Sequence, residues 1–375
     1  MQQPSFRQKW VSVWLDGCPE SACYECAAVL RHSHEAKPST VAIRQNVAIR
    51  YIRVTNHGEY GLLGATFTPQ NTGQLVIEVN TSRPVEGSFA GLEMKYAEEV
   101  FSVAVIAAFT QSDEILKIGC GTLTFNCAQT HPVDTSPLVM MLLTLYVLRL
   151  LVFPEAQSEQ ALFDYLAATK LYTEMDRNDT AFIPGLLAAN NYDKLCVRKE
   201  AISLMGRVAS PLFEPYLLDA LGVDETQEVA AIALGAAGFK SAIPHLIPLF
   251  RRDSSQWRVA YALKKLDWQP TNEADAIAMA VATKDWNNVI RFGQKAIPGL
   301  LEIVQNSEGF AAVEALGALE KIGDYSVVPQ LIEALRSNAT EPSHWNKYIT
   351  DRIVRILKQA NTPEAREALS HWAKE

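Results

Sequence analysis

Cysteine is sparse in this sequence, with six in 375 residues. A disulfide-stapled scaffold needs a far denser set, so a core-stabilised fold with reduced thiols is expected. Nineteen glycines and 18 prolines are too few for a collagen-like or low-complexity chain. No uncharged apolar run reaches the roughly 20 residues of a membrane span. The longest, Leu138 to Phe153, contains Arg149 and reads as a buried helix. Met1 to Trp14 mixes Gln, Arg, Lys and Trp, without the apolar stretch of a secretory signal. A soluble cytoplasmic protein with no membrane contact is expected. Positive charge is also short: 34 Lys+Arg stand against 42 Asp+Glu, a net −8. That argues against a general nucleic-acid coat, which needs clustered cations. Catalytic signatures are missing too. There is no Gly-x-x-x-x-Gly-Lys-[Ser/Thr], Gly-x-Ser-x-Gly or His-Glu-x-x-His, and Gly119-Cys-Gly121 lacks the third glycine of a dinucleotide loop. No enzymatic activity and no cofactor are expected.

What remains is ordinary for a folded protein, 48% hydrophobic and 20% charged. Charge does not separate the two halves: 11 basic and 15 acidic residues lie through position 159, 23 and 27 beyond it. Periodicity does. Residues 20 to 31 read as a helix, and 1–38 as a helical N-terminal segment. From Thr40 to Phe125 the pattern is mostly strand-like: Val41 to Arg44, Val47 to Val54, Thr66 to Pro69 and Leu75 to Val79. Residues 92 to 109 suit a helix, Lys117 to Asn126 a strand, and Pro137 to Phe153 a strongly apolar helix. The order β-β-β-α-β-α predicts an α+β domain over 39–158, with helices on one face of a sheet.

After about Gln160 a repeat takes over. Pro-x-Leu-[Leu/Ile] begins at Pro184, Pro215, Pro244, Pro298 and Pro329. A second motif starts in step at Ala201, Ala230, Val259 and Ala312. The double gap in both series places one divergent unit between Asp267 and Gly293. About 30 residues fit two short helices and their turns. Proline is tolerated in a first turn, the Leu pair faces the core, and Ala201, Ala230 and Ala312 allow close approach. Gly206, Gly235 and Gly317 sit where a helix ends or packs tightly. One such hairpin cannot bury its apolar side alone, whereas a stack can. An all-α solenoid over 159–375 is expected, with Ala365 to Trp372 as its capping end.

These motifs resemble bacterial HEAT-like repeats, the class labelled phycobilisome-lyase-like. The segment Leu263-Lys-Lys-Leu-Asp-Trp268-Gln-Pro270 adds to the likeness. The family's arginine ladder is not matched: Arg198 fits, but Gln227, Gln256 and Gly309 follow in step. The first half resembles domain IV of translation elongation factor G, through Gly58-Glu-Tyr-Gly61 and His131-Pro-Val-Asp-Thr-Ser136. The repeat resemblance implies a bilin lyase or chaperone-like ligand-binding protein as one alternative. The domain-IV resemblance implies another, a ribosome- or RNA-associated factor with a basic patch around Arg44, Arg50 and Arg53.

Two constellations invite a site. Cys18, Cys23, Cys26, His32 and His34 have thiolate and imidazole spacing open to a metal ion, or else are packing residues of a helix. His131 and Asp134 could pair, but Asp134 or Thr135 reads better as the cap of the apolar helix. Cys120 and Cys127 bracket a strand and read as core. In the repeats, one row of the second helices is Lys199, Glu228, Trp257 and Phe310. The row one turn on is Ser203, Ile232, Tyr261 and Glu314. With Trp257 and Tyr261 as hot spots, this row is the expected docking surface for another protein, the partner class favoured over nucleic acid.

Overall fold

The structure, a computed structural model, describes residues 4–8, 10–53, 59–83, 90–110, 113–131, 134–154, 158–167, 183–252, 257–306, 310–338 and 346–372. A mixed sheet with covering helices comes first, and among the described residues only helices follow. The chain divides into two compact units, 1–233 and 234–375. Among the described residues no helix is long and apolar enough to cross a membrane.

The first unit holds strands β1 (Phe6–Gln8), β2 (Val11–Leu15), β3 (Ala28–Glu35), β4 (Asn46–Arg53), β5 (Glu59–Pro69), β6 (Gln74–Thr81) and β7 (Gly121–Gln129). They form one sheet in the order β1-β2-β4-β5-β7-β6-β3. All pairs are antiparallel except β6 with β7. A parallel pair needs a crossover, supplied here by α1 (Met94–Phe109) and the short α2 (Asp113–Ile118). Helix α3 (Pro137–Leu151) follows β7. The expected β-β-β-α-β-α order is therefore β4-β5-β6-α1-β7-α3, with α2 added.

Helix α1 packs on β3 and β6, α3 packs on β4 and β5, and the two helices touch, so both cover one face. Strand alternation sends Val13, Ile49, Leu63, Phe67, Leu123 and Ile77 to that face, all fully or almost fully buried. Gly61 lets α3 lie directly on β5: a Cβ there would stand 2.8 Å from Leu143 Cδ1 and 2.9 Å from Val139 Cγ1. Gly58, its partner in the sequence motif, and Pro132 and Val133 of the second motif lie outside the described residues. Helix α1 also packs against α5 (Ile183–Asn190) and α6 (Leu195–Val208). Covered on both sides, it is apolar nearly all round, with Val100 to Ala108 buried. This packing carries the first compact unit past the change of sequence pattern at 158/159. Arg149, the charge inside the apolar run, lies 3.9 Å over the Tyr165 ring of α4 (Glu159–Ala167).

Four expectations fail here. Among its described residues the 1–38 segment is not helical beyond one 3-10 turn at Glu20–Ala22; they form β1, β2 and β3. β3 pairs with β6 from Ala28↔Thr81 to Glu35↔Gln74, and the eight backbone positions gained there outweigh a short amphipathic helix. Val41 to Arg44 is not a strand. Arg44 N donates to Leu151 O (2.8 Å), which ties this segment to the end of α3. The cap of α3 is Ser136, whose Oγ accepts from Val139 N at 3.3 Å. Asp134 and Thr135 instead bind β5, through Tyr60 N to Asp134 O (2.9 Å) and Thr135 Oγ1 to Tyr60 O (2.8 Å). Finally, the thiols are not all reduced, because Cys18 is bonded to Cys127. A bulge in β7 is the reason Cys127 is reachable. Phe125 pairs with Ala65, but Cys127 pairs with Gly64, so Asn126 is extra. Cys127 therefore turns to the face opposite α1 and α3. There Trp14, Ala22, Ala48 and Leu62 bury it, with Cys18 packed alongside.

Helices continue as pairs. In α5, α7 (Glu214–Leu221), α9 (Ile243–Arg252), α13 (Ile297–Asn306) and α15 (Val328–Asn338), the motif proline is the second residue. The leucines two positions on, Leu186, Leu217, Leu246, Leu300 and Leu331, are all buried. The second helices are α6, α8 (Asp224–Ala237), α10 (Trp257–Lys265), α14 (Phe310–Ile322) and α16 (Asn346–Ala360). The divergent segment is also a pair, α11 (Glu273–Ala282) and α12 (Trp286–Phe292). In the second unit α13 packs on α14 and touches α11 and α15. Helix α14 touches α12 and α16, and α17 (Pro363–Trp372) closes against α15 and α16. Successive pairs thus share one continuous apolar core.

Glycine sets the spacing between second helices. A Cβ on Gly206 would stand 2.5 Å from Ala233 Cα, and one on Gly235 2.8 Å from Ala262 Cα. Gly317 differs: a Cβ there would meet only the Arg352 guanidinium, at 3.4 Å. The divergent pair is tied in by charge. Arg251 donates to the Asp275 carboxylate, with Nη2 to Oδ2 at 2.6 Å, and Asn272 Nδ2 adds a bond at 2.8 Å. The Arg251 hydrogen bond holds the Asp275 carboxyl below the usual range.

Candidate protein-binding surface

A repeat buries the same positions in every second helix, so the register reveals what is left outside. Val259, Ala262 and Leu263 of α10 are buried, as are Ala312, Ala315 and Leu316 of α14 in step with them. Held by those contacts, the first turn of each helix carries an aromatic outward. Trp257 is 51% exposed, Tyr261 43% and Phe310 59%. Arg258 lies 4.6 Å from the Trp257 ring centroid and Lys265 5.4 Å from that of Tyr261. With exposed Lys264, α10 presents two aromatic rings among three cations. Glu314, one turn beyond Phe310, is half-buried and 3.8 Å from Lys284.

Lys199, Ser203 and Glu228 belong to the first unit: Lys199 and Glu228 are exposed, Ser203 half-buried. Ile232, in the same row, is half-buried. Two aromatics extend the second unit's set beyond the residues read from sequence. Trp286 opens α12, half-buried against the core, and Tyr348 in the first turn of α16 is 52% exposed. Trp286 stands one repeat after Trp257, 29 positions on. It was missed because the divergent unit lacks the small-residue motif that sets the alignment. Gln256 and Gly309 lie outside the described residues.

The proposed metal ligands are not assembled. Cys18 is bonded to Cys127, and among the described residues no three His, Cys, Asp or Glu side chains converge as metal ligands. His32 and His34 face the helices from β3. Their ring centroids lie 5.1 and 5.9 Å from that of Phe109, and His32 Nδ1 is 3.0 Å from Tyr192 Oη. Burial, then the neighbouring His34, lowers the His32 pKa to about 4, so the ring is neutral at pH 7. His131 Nδ1 does lie 3.0 Å from Asp134 Oδ2, and it also accepts from Asp134 N at 3.1 Å, so the imidazole closes a local turn. The basic patch loses a member, since Arg44 is buried and donates to Phe153 O (3.1 Å). A cavity of about 570 Å³ lies between Val41, Ile43, Phe67, Pro69, Ile118 and Cys120, and among the described residues no acidic side chain lines it.

One electrostatic feature had no sequence signal beyond a charge inside an apolar helix. Glu99 of α1 has its pKa raised to about 7, first by burial and then by Glu200 of α6 and Glu98, against Arg207 and Lys95. Burial raises Glu200 too. A raised folded pKa means that stability is full below the unfolded value near 4.5 and is lost as pH climbs through about 7. Glu99→Gln, neutral at every pH, is expected to match the wild type near pH 4. At pH 8 it should be more stable by about 1–2 kcal/mol, the full shift being reduced by partial solvent exposure. Urea midpoints at the two pH values check this; an equal difference at both would contradict it.

No protein-family model matches the chain, and no curated protein matches it in sequence.

Proposed function

We propose that this chain is a non-catalytic protein-binding scaffold: its helix pairs form a HEAT-like solenoid whose second helices hold another protein. The carrying observation is the exposure of Trp257, Tyr261 and Phe310 on helices whose other apolar side chains are buried or half-buried. Clustered exposed aromatics mark interaction sites, and Trp and Tyr dominate interface energetics. The cations beside them, Arg258, Lys264 and Lys265, favour a partner segment that brings carboxylates to the rim. A stack of hairpins supplies a long surface without reacting groups, which fits binding better than chemistry. The test is capture with the full chain, identification of the bound protein, and its Kd measured with purified components. A Kd that depends on Trp257 and Tyr261 supports the reading. A partner whose Kd ignores both residues contradicts it.

A further inference from the structure

The face of the sheet opposite α1 and α3 gathers three sulfurs that neither the fold nor the proposed docking surface requires. Cys127 is bonded to Cys18. Cys23 is a free, exposed thiol, yet its backbone forms an antiparallel bridge with Cys127 itself. Directly opposed residues in such a pair have Cα atoms about 4.5–5.5 Å apart and side chains on the same face. That separation lies inside the roughly 4.4–6.8 Å that a disulfide spans. The Cα atoms of the bonded pair, Cys18 and Cys127, are 6.9 Å apart. Cys23 is therefore placed at least as well for Cys127 as its present partner. The two competing sulfurs are also close to each other, since Cys18 Sγ and Cys23 Sγ lie 3.7 and 3.8 Å from the same carbonyl oxygen, that of Pro19. Gln129 Nε2 pins the loop between them by donating to Ser21 O at 2.9 Å. Cys26 takes no part; its thiol donates to Ala28 O at 3.4 Å.

We propose that Cys18, Cys23 and Cys127 form a thiol–disulfide exchange site in which Cys127 is the shared sulfur and Cys23 the attacking thiol. The step is balanced within the chain. Cys23 gives its proton to solvent, and its thiolate attacks Cys127 Sγ. The Cys18–Cys127 bond breaks with its electron pair on Cys18 Sγ, which takes a proton from solvent. One disulfide and one thiol stand on each side, so no external oxidant or reductant is consumed. The exchange moves the tether from one end of the Glu20–Ala22 turn to the other and releases Cys18 from the Trp14 cluster.

The wild-type full chain decides the matter without a variant. It is labelled with N-ethylmaleimide under native conditions, acidified, and cleaved after Glu20 and Glu25, which puts Cys18, Cys23 and Cys26 on separate peptides. Non-reducing mass spectrometry is expected to find chains labelled at Cys18 whose Cys23 is bonded to Cys127. Label confined to Cys23 and Cys26 would overturn the proposal. The Cys18→Ser chain, kept in glutathione buffer, is expected to carry a Cys23–Cys127 bond. Cys127 recovered there as a thiol, or joined only to glutathione, would overturn it equally.

Discussion

Gly206→Val is expected to destabilise the protein by about 3 kcal/mol, near the upper end of overpacking costs. The site leaves no room for the change: even a Cβ would stand 2.5 Å from Ala233 Cα and 2.9 Å from Ala233 O. Both atoms are backbone, so helices α6 and α8 must part. Replacing a mid-helix glycine gains about 1 kcal/mol at most, which cannot offset that. Gly317→Ala supplies the contrast. Its Cβ would touch only the movable end of Arg352, so the propensity gain prevails and the change should be neutral or stabilising by up to about 1 kcal/mol. Urea unfolding of both variants checks the pair of signs. Equal effects at the two positions would refute close backbone approach as the device that sets the repeat spacing.

Trp257→Ala carries the second large effect, on binding and not on the fold. The Trp257 side chain is half exposed, and its helix is held by Val259, Ala262 and Leu263. Its loss should leave the melting temperature within a degree or two. Partner binding should weaken by roughly 30-fold or more, the 2 kcal/mol of an aromatic hot spot. Lys264→Glu should weaken the same complex mainly through its association rate, an effect that shrinks as salt rises. A melt lowered as far as binding is weakened would make Trp257 a packing residue.

The helical half was legible because its physics is repetitive. Each Pro-x-Leu-[Leu/Ile] motif puts proline in a first turn and leucine in a core, and all five do so. The divergent pair was visible as a gap, but its Trp286 was not, for want of an aligned motif. In the sheet, β4, β6, α1 and α3 followed from local periodicity. Strand β3 did not, because half of its signal lies in β6, with which it pairs from Glu35↔Gln74 to Ala28↔Thr81, 39 to 53 positions away in sequence. The disulfide was hidden for a related reason: alternation alone places Cys127 with Phe125 on the helix face, and only the extra residue at Asn126 turns it over. Glu99 and Glu200 meet across α1 and α6, where no sequence spacing records the contact.

Hydrogen exchange on the full chain, with and without its purified partner, tests the docking surface most directly. Backbone amides in the first turns of α10, α12 and α14 should gain protection on binding, together and at the same partner concentration. Protection confined to the sheet, or none in these turns at saturating partner, would contradict the proposed role of the aromatic row.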